Sequence, residues 1–493
     1  MKTKRALPSP TSLLFHLLIT PLFLCEANTV SMPPSESETL FTIMDSMSSD
    51  QQWRRSHPNP CAPGSSWPGI ECKTGPDRLP HVSRLDFGSA PNPSCKSSAS
   101  FPHLIFSLPF LQSVFFFNCF THLPTTIIFP IKLLPNSSLQ QLSLRSNPSL
   151  SGQIPPLISS LTSLQILTLS QNKLTGAIPP VLFSLKNLLH LDLSYNKLTG
   201  TIPLQLGNLN SLLGLDLSYN SLTGLIPHTI SQLGTLQKLD LSSNALSGAI
   251  PQGLEKLRSL SFIALSNNRL RGAFPKGLSK LESLQYFIMD NNPMHAPLPV
   301  ELGLLPKLQE IQLENSGYSG VIPESYTRLM NLSSLSLADN KLTGEIPSGF
   351  DSLPHVFHLN LSRNSLIGVV PFDSSFLRRL GKNLDLSGNR GLCLNPEDEF
   401  SVVKTGVGVC GRNVTSGPSP KISQASTSRC CYGSCLLANA LFQVPEKERR
   451  FVFVPKVDDG FNNQTYMHGL DQYESLRHAV ILRTLGAMTP SND

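Results

Sequence analysis

Between Leu161 and Pro371 the apolar and polar positions follow one order, repeated with almost no drift. The spelling is L-x-x-L-x-x-L-x-L-x-x-N-x-L-x-G-x-I-P. Its polar anchors, Asn172, Asn196, Asn220, Asn244, Asn268, Asn292, Ser316, Asn340 and Asn364, stand 24 residues apart. In Leu191-Asp192-Leu193 the leucines point inward and Asp192 outward, the two-residue alternation of a short strand. Asn196 turns the chain, where its side-chain amide can satisfy backbone groups that a bending coil would leave unpaired. Leu198 packs inside, Gly200 is expected to allow close backbone approach, and Ile202-Pro203 starts a convex return. Proline, with no N–H, suits a path outside the ladder. One coil cannot bury its own leucines, so this fixed period predicts a solenoid.

The expected fold is an α/β leucine-rich-repeat solenoid, a curved right-handed coil with a parallel concave sheet and caps stapled by cysteines. Counting Cys119, Asn147, the nine anchors and Asn389 gives about twelve repeats over residues 101–390. With strands ~4.8 Å apart, the sheet would be on the order of 55 Å long. An amino-terminal cap over 28–100 is read from Leu40, Phe41, Met44, Met47 and Trp53 at helical spacing. It continues through Cys61 and Cys72, which flank Trp67-Pro68-Gly69-Ile70, to a first edge strand at His81–Phe87. A carboxyl cap over 391–411 lies between Cys393 and Cys410. Cys61 with Cys72 and Cys393 with Cys410 are the expected bridges, and Cys95 with Cys119 is a further candidate pair.

Residues 1–27 read as a secretory signal peptide: Lys2, Lys4 and Arg5 precede an apolar run from Leu13 to Leu24, with small residues before Ala27. The run is too short to span a bilayer. Secretion makes disulfides the default for the cysteines. Of ten, removal of Cys25 leaves an odd number, so one thiol is free or intermolecular. Sequons at Asn136, Asn331, Asn360, Asn413 and Asn463 fit the same compartment. Residues 412–442 read as a Ser/Gly/Pro-rich stalk and short apolar segment, and 443–493 as an atypical disordered tail. No partner is assigned to Cys430, Cys431 and Cys435. Neither a P-loop, G-x-S-x-G, H-E-x-x-H nor a kinase signature is present, and no histidines sit at metal-ligand spacing beside the cap cysteines. No enzyme, metal or cofactor is therefore expected. A net charge of +6 is modest for 493 residues and gives no support for nucleic-acid binding.

The L-x-G-x-I-P repeat, the cysteine caps and the signal peptide together resemble plant extracellular leucine-rich-repeat proteins. HPNPCAPGSSWPGIECKTGPD, FGSAPNPSCKSSASFP, LPFLQSVFFFNCFTH, YFIMDNNPM and ENSGYSGVIPESY resemble more narrowly the receptor-like proteins without a kinase. Within them they are most similar to a member tied to root responses to a beneficial fungus. The resemblance covers about Ser35 to Val414. It implies a protein at the outer face of the plasma membrane or in the apoplast. Its expected partners are a receptor kinase or other leucine-rich-repeat receptor, and a peptide or microbial ligand. Family members close with a hydrophobic tail soon after residues like LLANALF; here 443–493 stands in its place.

Outward strand residues are the default contact surface of a solenoid. The positions six, four, two and one before each anchor map it. Asp192, Asp216 and Asp240 share one slot on three successive strands, beside Tyr195 and Tyr219, and predict an acidic ladder. Against this, LDLS is the repeat's commonest spelling, and the aspartates can serve only to keep the sheet soluble. Phe262, Tyr286, Ile288, Asp290, Glu310, Gln312 and Glu314 depart from the template and mix aromatics with acids, the composition of an interface anchor. Phe115 and Phe117 also face out, within reach of the amino-terminal cap, and Asn360 would place a glycan in a concave slot. The expected function is ligand or receptor-kinase binding in plant signalling. The alternative is a secreted inhibitor of microbial wall-degrading enzymes, which uses the same fold.

Overall fold

Each repeat contributes only about three residues of strand before its anchor bends the chain, as in His190–Asp192, Gly214–Asp216 and Lys238–Asp240. These segments pair in parallel and residue for residue, Leu191 beside Leu215 beside Leu239, so the inward leucines form one file. In this computed structural model the described residues are 31–62, 67–130, 137–396 and 405–411. The chain divides into Met1–Thr415 and Ser416–Asp493, and only the first contains described residues. The signal peptide, the stalk and tail, Cys430, Cys431, Cys435 and the sequons Asn136, Asn413 and Asn463 lie outside them.

Among the described residues the concave sheet has 14 strands. All pair in parallel except the first two, Ile70–Thr74 and Pro80–Phe87, which form an antiparallel hairpin. The edge expected at His81–Phe87 is thus one strand further in, because Ile70–Thr74 covers it. Returns over the convex side are short 3-10 turns behind proline, such as Pro180–Ser184 and Leu204–Asn208. A turn of five residues fits a coil of this length where an α-helix would not. α-Helices among the described residues belong to the ends: Pro34–Met47, Trp53–Ser56 and Ser374–Leu380.

Two residue types hold the coils together. The anchor Asn196 donates to Leu169 O at 2.8 Å in the previous coil and to Leu193 O and Ser194 O at 3.1 Å in its own. Its Oδ1 accepts from Leu174 N at 3.0 Å. The same set recurs at Asn220 and Asn244. The glycine of L-x-G-x-I-P serves both the backbone and close approach: an added Cβ would sit 3.3 Å from Ala177 Cβ at Gly200 and would clash with Leu225 Cδ2 at Gly248. Gly200 has φ 79°, in the left-handed region that favours glycine; beside Gly272 and Gly320, by contrast, the space is open and the backbone alone asks for glycine.

The amino-terminal cap buries Leu40, Phe41, Ile43, Met44 and Met47 of its helix against the first coils. Trp53 stacks on Trp67 with centroids 5.4 Å apart. Disulfides join Cys61 to Cys72 and Cys95 to Cys119, and the last coil is closed by Cys393–Cys410. Phe117 remains 41% exposed, so the cap does not cover it. Phe115 is half-buried beneath the Arg84 guanidinium, 4.5 Å from its ring centre.

Past the anchors, a second set of short strands runs along the flank of the solenoid, in ladders of 3, 3 and 4 strands among the described residues. One interruption lies between Arg269–Leu270 and Ser319–Gly320. The Asn292 coil contributes no strand there, only a bridge from Pro297 to Ser319.

Candidate functional site

The concave face is organised slot by slot. In the regular coils the aspartate four before the anchor is a bracket for its own turn. Asp192 Oδ1 accepts from Ser194 N at 3.0 Å and Oγ at 2.7 Å, and Asp216 and Asp240 hold Ser218 and Ser242 in the same way. Asp216 also accepts from Lys238 Nζ at 3.0 Å. Asp216 is 8% exposed and Asp240 not at all, and Asp192 is half-buried. The expected acidic ladder is therefore not an exposed contact surface, because neighbouring side chains on the inside of a curved sheet close over this slot. Burial, with the Asp216 carboxylate alongside, pushes the Asp192 carboxyl above its usual range. Tyr195 and Tyr219 stack at 4.1 Å at the rim of these coils.

The coils anchored at Asn292 and Ser316 depart from this rule. Ile288 and Gln312 occupy the bracket slot, and the acids move two residues on, to Asp290 and Glu314. Asp290 then bonds across coils instead of within its own: Oδ1 accepts from Glu314 N at 2.8 Å, and its N–H donates to Ser266 Oγ at 3.0 Å. Glu314 accepts from Ser336 Oγ, and Glu310 from Gln312 Nε2. Phe262, Tyr286 and Glu310 are in register on adjacent strands, with the two rings 6.0 Å apart and tilted. Lys238 Nζ lies 5.9 Å from the centre of the Phe262 ring. Phe262, Tyr286, Asp290, Glu310, Gln312 and Glu314 thus form one half-buried cluster. Ile288 does not join its surface: at 5% exposure it belongs to the interior, for the same reason of slot.

Burial pushes the Asp290 carboxyl up to about 6, and it raises Glu310 as well. Both carboxylates are short of solvent, and a cation brought to them would relieve that cost. Asn331 is exposed, whereas Asn360 is 5% exposed with Oδ1 accepting from Ser362 N and Oγ. The side chain at which a concave glycan is expected is therefore buried in the folded coil.

The flank holds a feature outside the sequence expectations. Asn291, Pro293, His295, Asn315, Gly317, Asp339 and Lys341 line an open cleft of about 490 Å³ beside the acidic cluster. Its signal in the sequence is three departures from template in adjacent coils: His295 for Thr or Ser, Ser316 for Asn, and Gly317 after the anchor. Among the described residues no group of His, Cys, Asp and Glu could hold a metal ion, and no helix is long and apolar enough to cross a membrane.

Leucine-rich-repeat family models match residues 163–185, 187–209, 203–246, 236–294 and 306–366. Receptor like protein 29 of Arabidopsis thaliana is 90% identical over 451 residues, 90% of this chain and 97% of that protein. Piriformospora indica-insensitive protein 2 of the same plant is 34% identical over 147 residues, 29% of this chain and 34% of that one. The expected nearness to the fungal-response protein therefore gives way to a far more extensive match. Among solved structures, the ectodomain of the Arabidopsis receptor kinase HAESA with an IDA peptide hormone superposes with a TM-score of 0.61 at 28% identity. It covers 75% of this chain, and the chain spans 60% of that ectodomain. No catalytic domain is evident among the described residues. By its extended identity to one member, together with the solenoid and its bridges, the chain belongs to the plant leucine-rich-repeat receptor-like proteins.

Proposed function

We propose that the protein acts at the cell surface by binding an extracellular ligand and a receptor-kinase partner through the cluster around Phe262, Tyr286, Asp290, Glu310, Gln312 and Glu314. The supporting observation is the shift of acids out of the bracket slot at Asp290 and Glu314, beside two half-buried aromatic rings. Regular coils spend their aspartates on their own turns; these two coils hold Asp290 and Glu310 at the surface with raised pKa. Aromatic rings ringed by polar groups are the usual anchors of an interface. A solenoid of this kind signals by changing a partner's equilibrium, and needs only differential affinity for two states of that partner. A place in root responses to a beneficial fungus is the narrower form of this reading, and it rests on the partial similarity to Piriformospora indica-insensitive protein 2.

The test is co-immunoprecipitation of the tagged full chain from root membranes, with kinase-domain peptides scored by mass spectrometry. An enriched receptor kinase that is lost with Phe262→Ala and Tyr286→Ala together is the expected result. Enrichment untouched by both changes moves the site elsewhere. Absence of any kinase, with inhibition of a pectin-degrading enzyme, would replace the reading by that of a wall-enzyme inhibitor.

A further inference from the structure

The flank cleft has a cause that can be traced to one residue. In regular coils the N–H two residues past the anchor is capped by the next coil's asparagine: Leu246 N by Asn268 and Leu270 N by Asn292, each at 3.0 Å. The same cap for Met294 N would need an asparagine where the chain has Ser316. The serine is too short, and its hydroxyl takes Asn292 N instead, at 3.2 Å. Met294 N turns back to Asn292 O at 2.8 Å and Ser316 O at 3.0 Å. The following residue, His295, enters the left-handed region at φ 47°. Its ring lies over Gly317, where a Cβ would meet Nδ1 at 2.5 Å. The result is an opening where neighbouring coils close.

The wall of this opening is a rail of amides. Asn315 Nδ2 donates to Asn291 Oδ1 at 2.8 Å, and Asn291 Nδ2 to Asn267 Oδ1 at 2.9 Å. All three are exposed, each sits one coil from the next, and each keeps a second N–H and an acceptor lone pair for a ligand. Asp339 continues the file and is paired with Arg363, so the rail ends near neutrality. Pro293 and His295 are exposed and add two flat faces.

We propose that this rail and cleft bind a neutral, linear, β-linked oligosaccharide, at a site separate from the concave cluster. The reasoning is one of spacing and chemistry. Coils recur every ~4.8 Å, whereas side chains on one face of an extended peptide recur every ~6.7 Å, so a peptide laid along the rail falls out of step within two coils. A β-linked pyranose chain repeats at nearly the coil spacing and offers each amide a hydroxyl that both donates and accepts. Its ring faces suit Pro293 and His295. The lining holds one lysine, Lys341, beside the amides, and no file of cations for a polyanion.

Calorimetric titration of the full secreted chain with cellotriose, xylotriose, maltotriose and trigalacturonic acid tests this. A saturable response to cellotriose or xylotriose, at a dissociation constant of about 1 mM or tighter, is expected. Asn291→Ala should weaken it about tenfold, as should Ser316→Asn, which restores the missing cap and closes the opening. Thermal melts should show Ser316→Asn unchanged or higher, and Asn291→Ala, which loses an asparagine from a backbone at φ 57°, lower by a few degrees but cooperative and fully folded at the titration temperature. Phe262→Ala with Tyr286→Ala should leave sugar binding intact, which separates this site from the concave one. Equal response to maltotriose, preference for trigalacturonic acid, no saturation, or wild-type affinity in Ser316→Asn would each overturn the proposal.

Discussion

The coils anchored at Asn196, Asn220 and Asn244 and those anchored at Asn292 and Ser316 have the same length and the same inward leucine-type positions. They differ in where polar groups go. In the first set the recurring-slot polar side chains of the turn are used within the scaffold: the asparagine caps three carbonyls and an N–H, and the aspartate four before it brackets its serine. In the second set the acids leave the bracket, one anchor loses its reach, and carboxylates, amides and an imidazole come to the surface. Turn capping and the composition of the surface thus draw on the same slots. A coil can satisfy its own turn with these groups or leave them at the surface, and the irregular pair does the latter.

The largest expected effect is on the regular side of this comparison. Asn244→Ala removes four hydrogen bonds and strands Leu222 N, which depends on Asn244 Oδ1 at 3.0 Å. A buried N–H left without a partner costs about 1–3 kcal/mol, and the lost carbonyl bonds add to it, so a loss of about 2–4 kcal/mol is expected. Denaturant midpoints at constant slope give the measurement. A loss under about 0.5 kcal/mol would mean that the regular anchors are no more needed than Ser316, and the contrast would fail.

Next in size is the acid moved to the surface. The Asp290 carboxyl is raised from 3.8 to about 6 by burial, with Glu314 adding to it. Between these values the folded chain holds a proton that the unfolded chain has shed. Stability therefore falls as pH rises through that window, and the loss is complete above it. The linkage amounts to roughly 2–3 kcal/mol. Glu310, also raised by burial, adds to the fall at low pH. His81 adds another at higher pH: its pKa is raised against the effect of burial by hydrogen bonds to Glu36 and Asp77, so its contribution is present below ~6.5 and lost above. The difference between wild type and Asp290→Asn cancels both. Asp290→Asn should be more stable at pH 7 and nearly equal at pH 4, with the Glu314 N bond kept by the amide oxygen. A variant less stable at pH 7 would show that the carboxylate is held by the scaffold, like those of the regular coils.

Much of this fold could be read from spacing alone, because leucine burial and the asparagine turn recur at fixed offsets and are local to one coil. What could not be read depends on the neighbour. Alternation states which face Asp240 and Ile288 occupy, but not that adjacent side chains on a curved sheet close over that slot. The hairpin strand Ile70–Thr74 lacks the repeat's spelling and is set by pairing with Pro80–Phe87. The cluster from Phe262 to Glu314 was legible as a departure from template, whereas the cleft was not. Its origin is a hydrogen bond that Ser316 fails to make to the coil before it, and a single coil's spelling does not contain that relation.

The smallest effect divides the irregular coil itself, by its sign. Tyr318 stands two past the Ser316 anchor, in the slot that Leu198, Leu222 and Leu246 fill elsewhere, and it is fully buried. Its hydroxyl has no hydrogen-bond partner among the described residues. Tyr326, also fully buried and only eight residues on, donates from its hydroxyl to Pro299 O at 3.2 Å. Removing an unpaired buried hydroxyl returns its desolvation cost, while removing a paired one leaves an acceptor without its donor. Tyr318→Phe should therefore raise stability by about 1 kcal/mol and Tyr326→Phe lower it by about as much. Chemical denaturation of the two variants beside wild type decides it. Equal losses would mean that Tyr318 OH is satisfied in solution by an ordered water, in which case the coil anchored at Ser316 is as fully paired inside as the regular ones and its irregularity is confined to the surface.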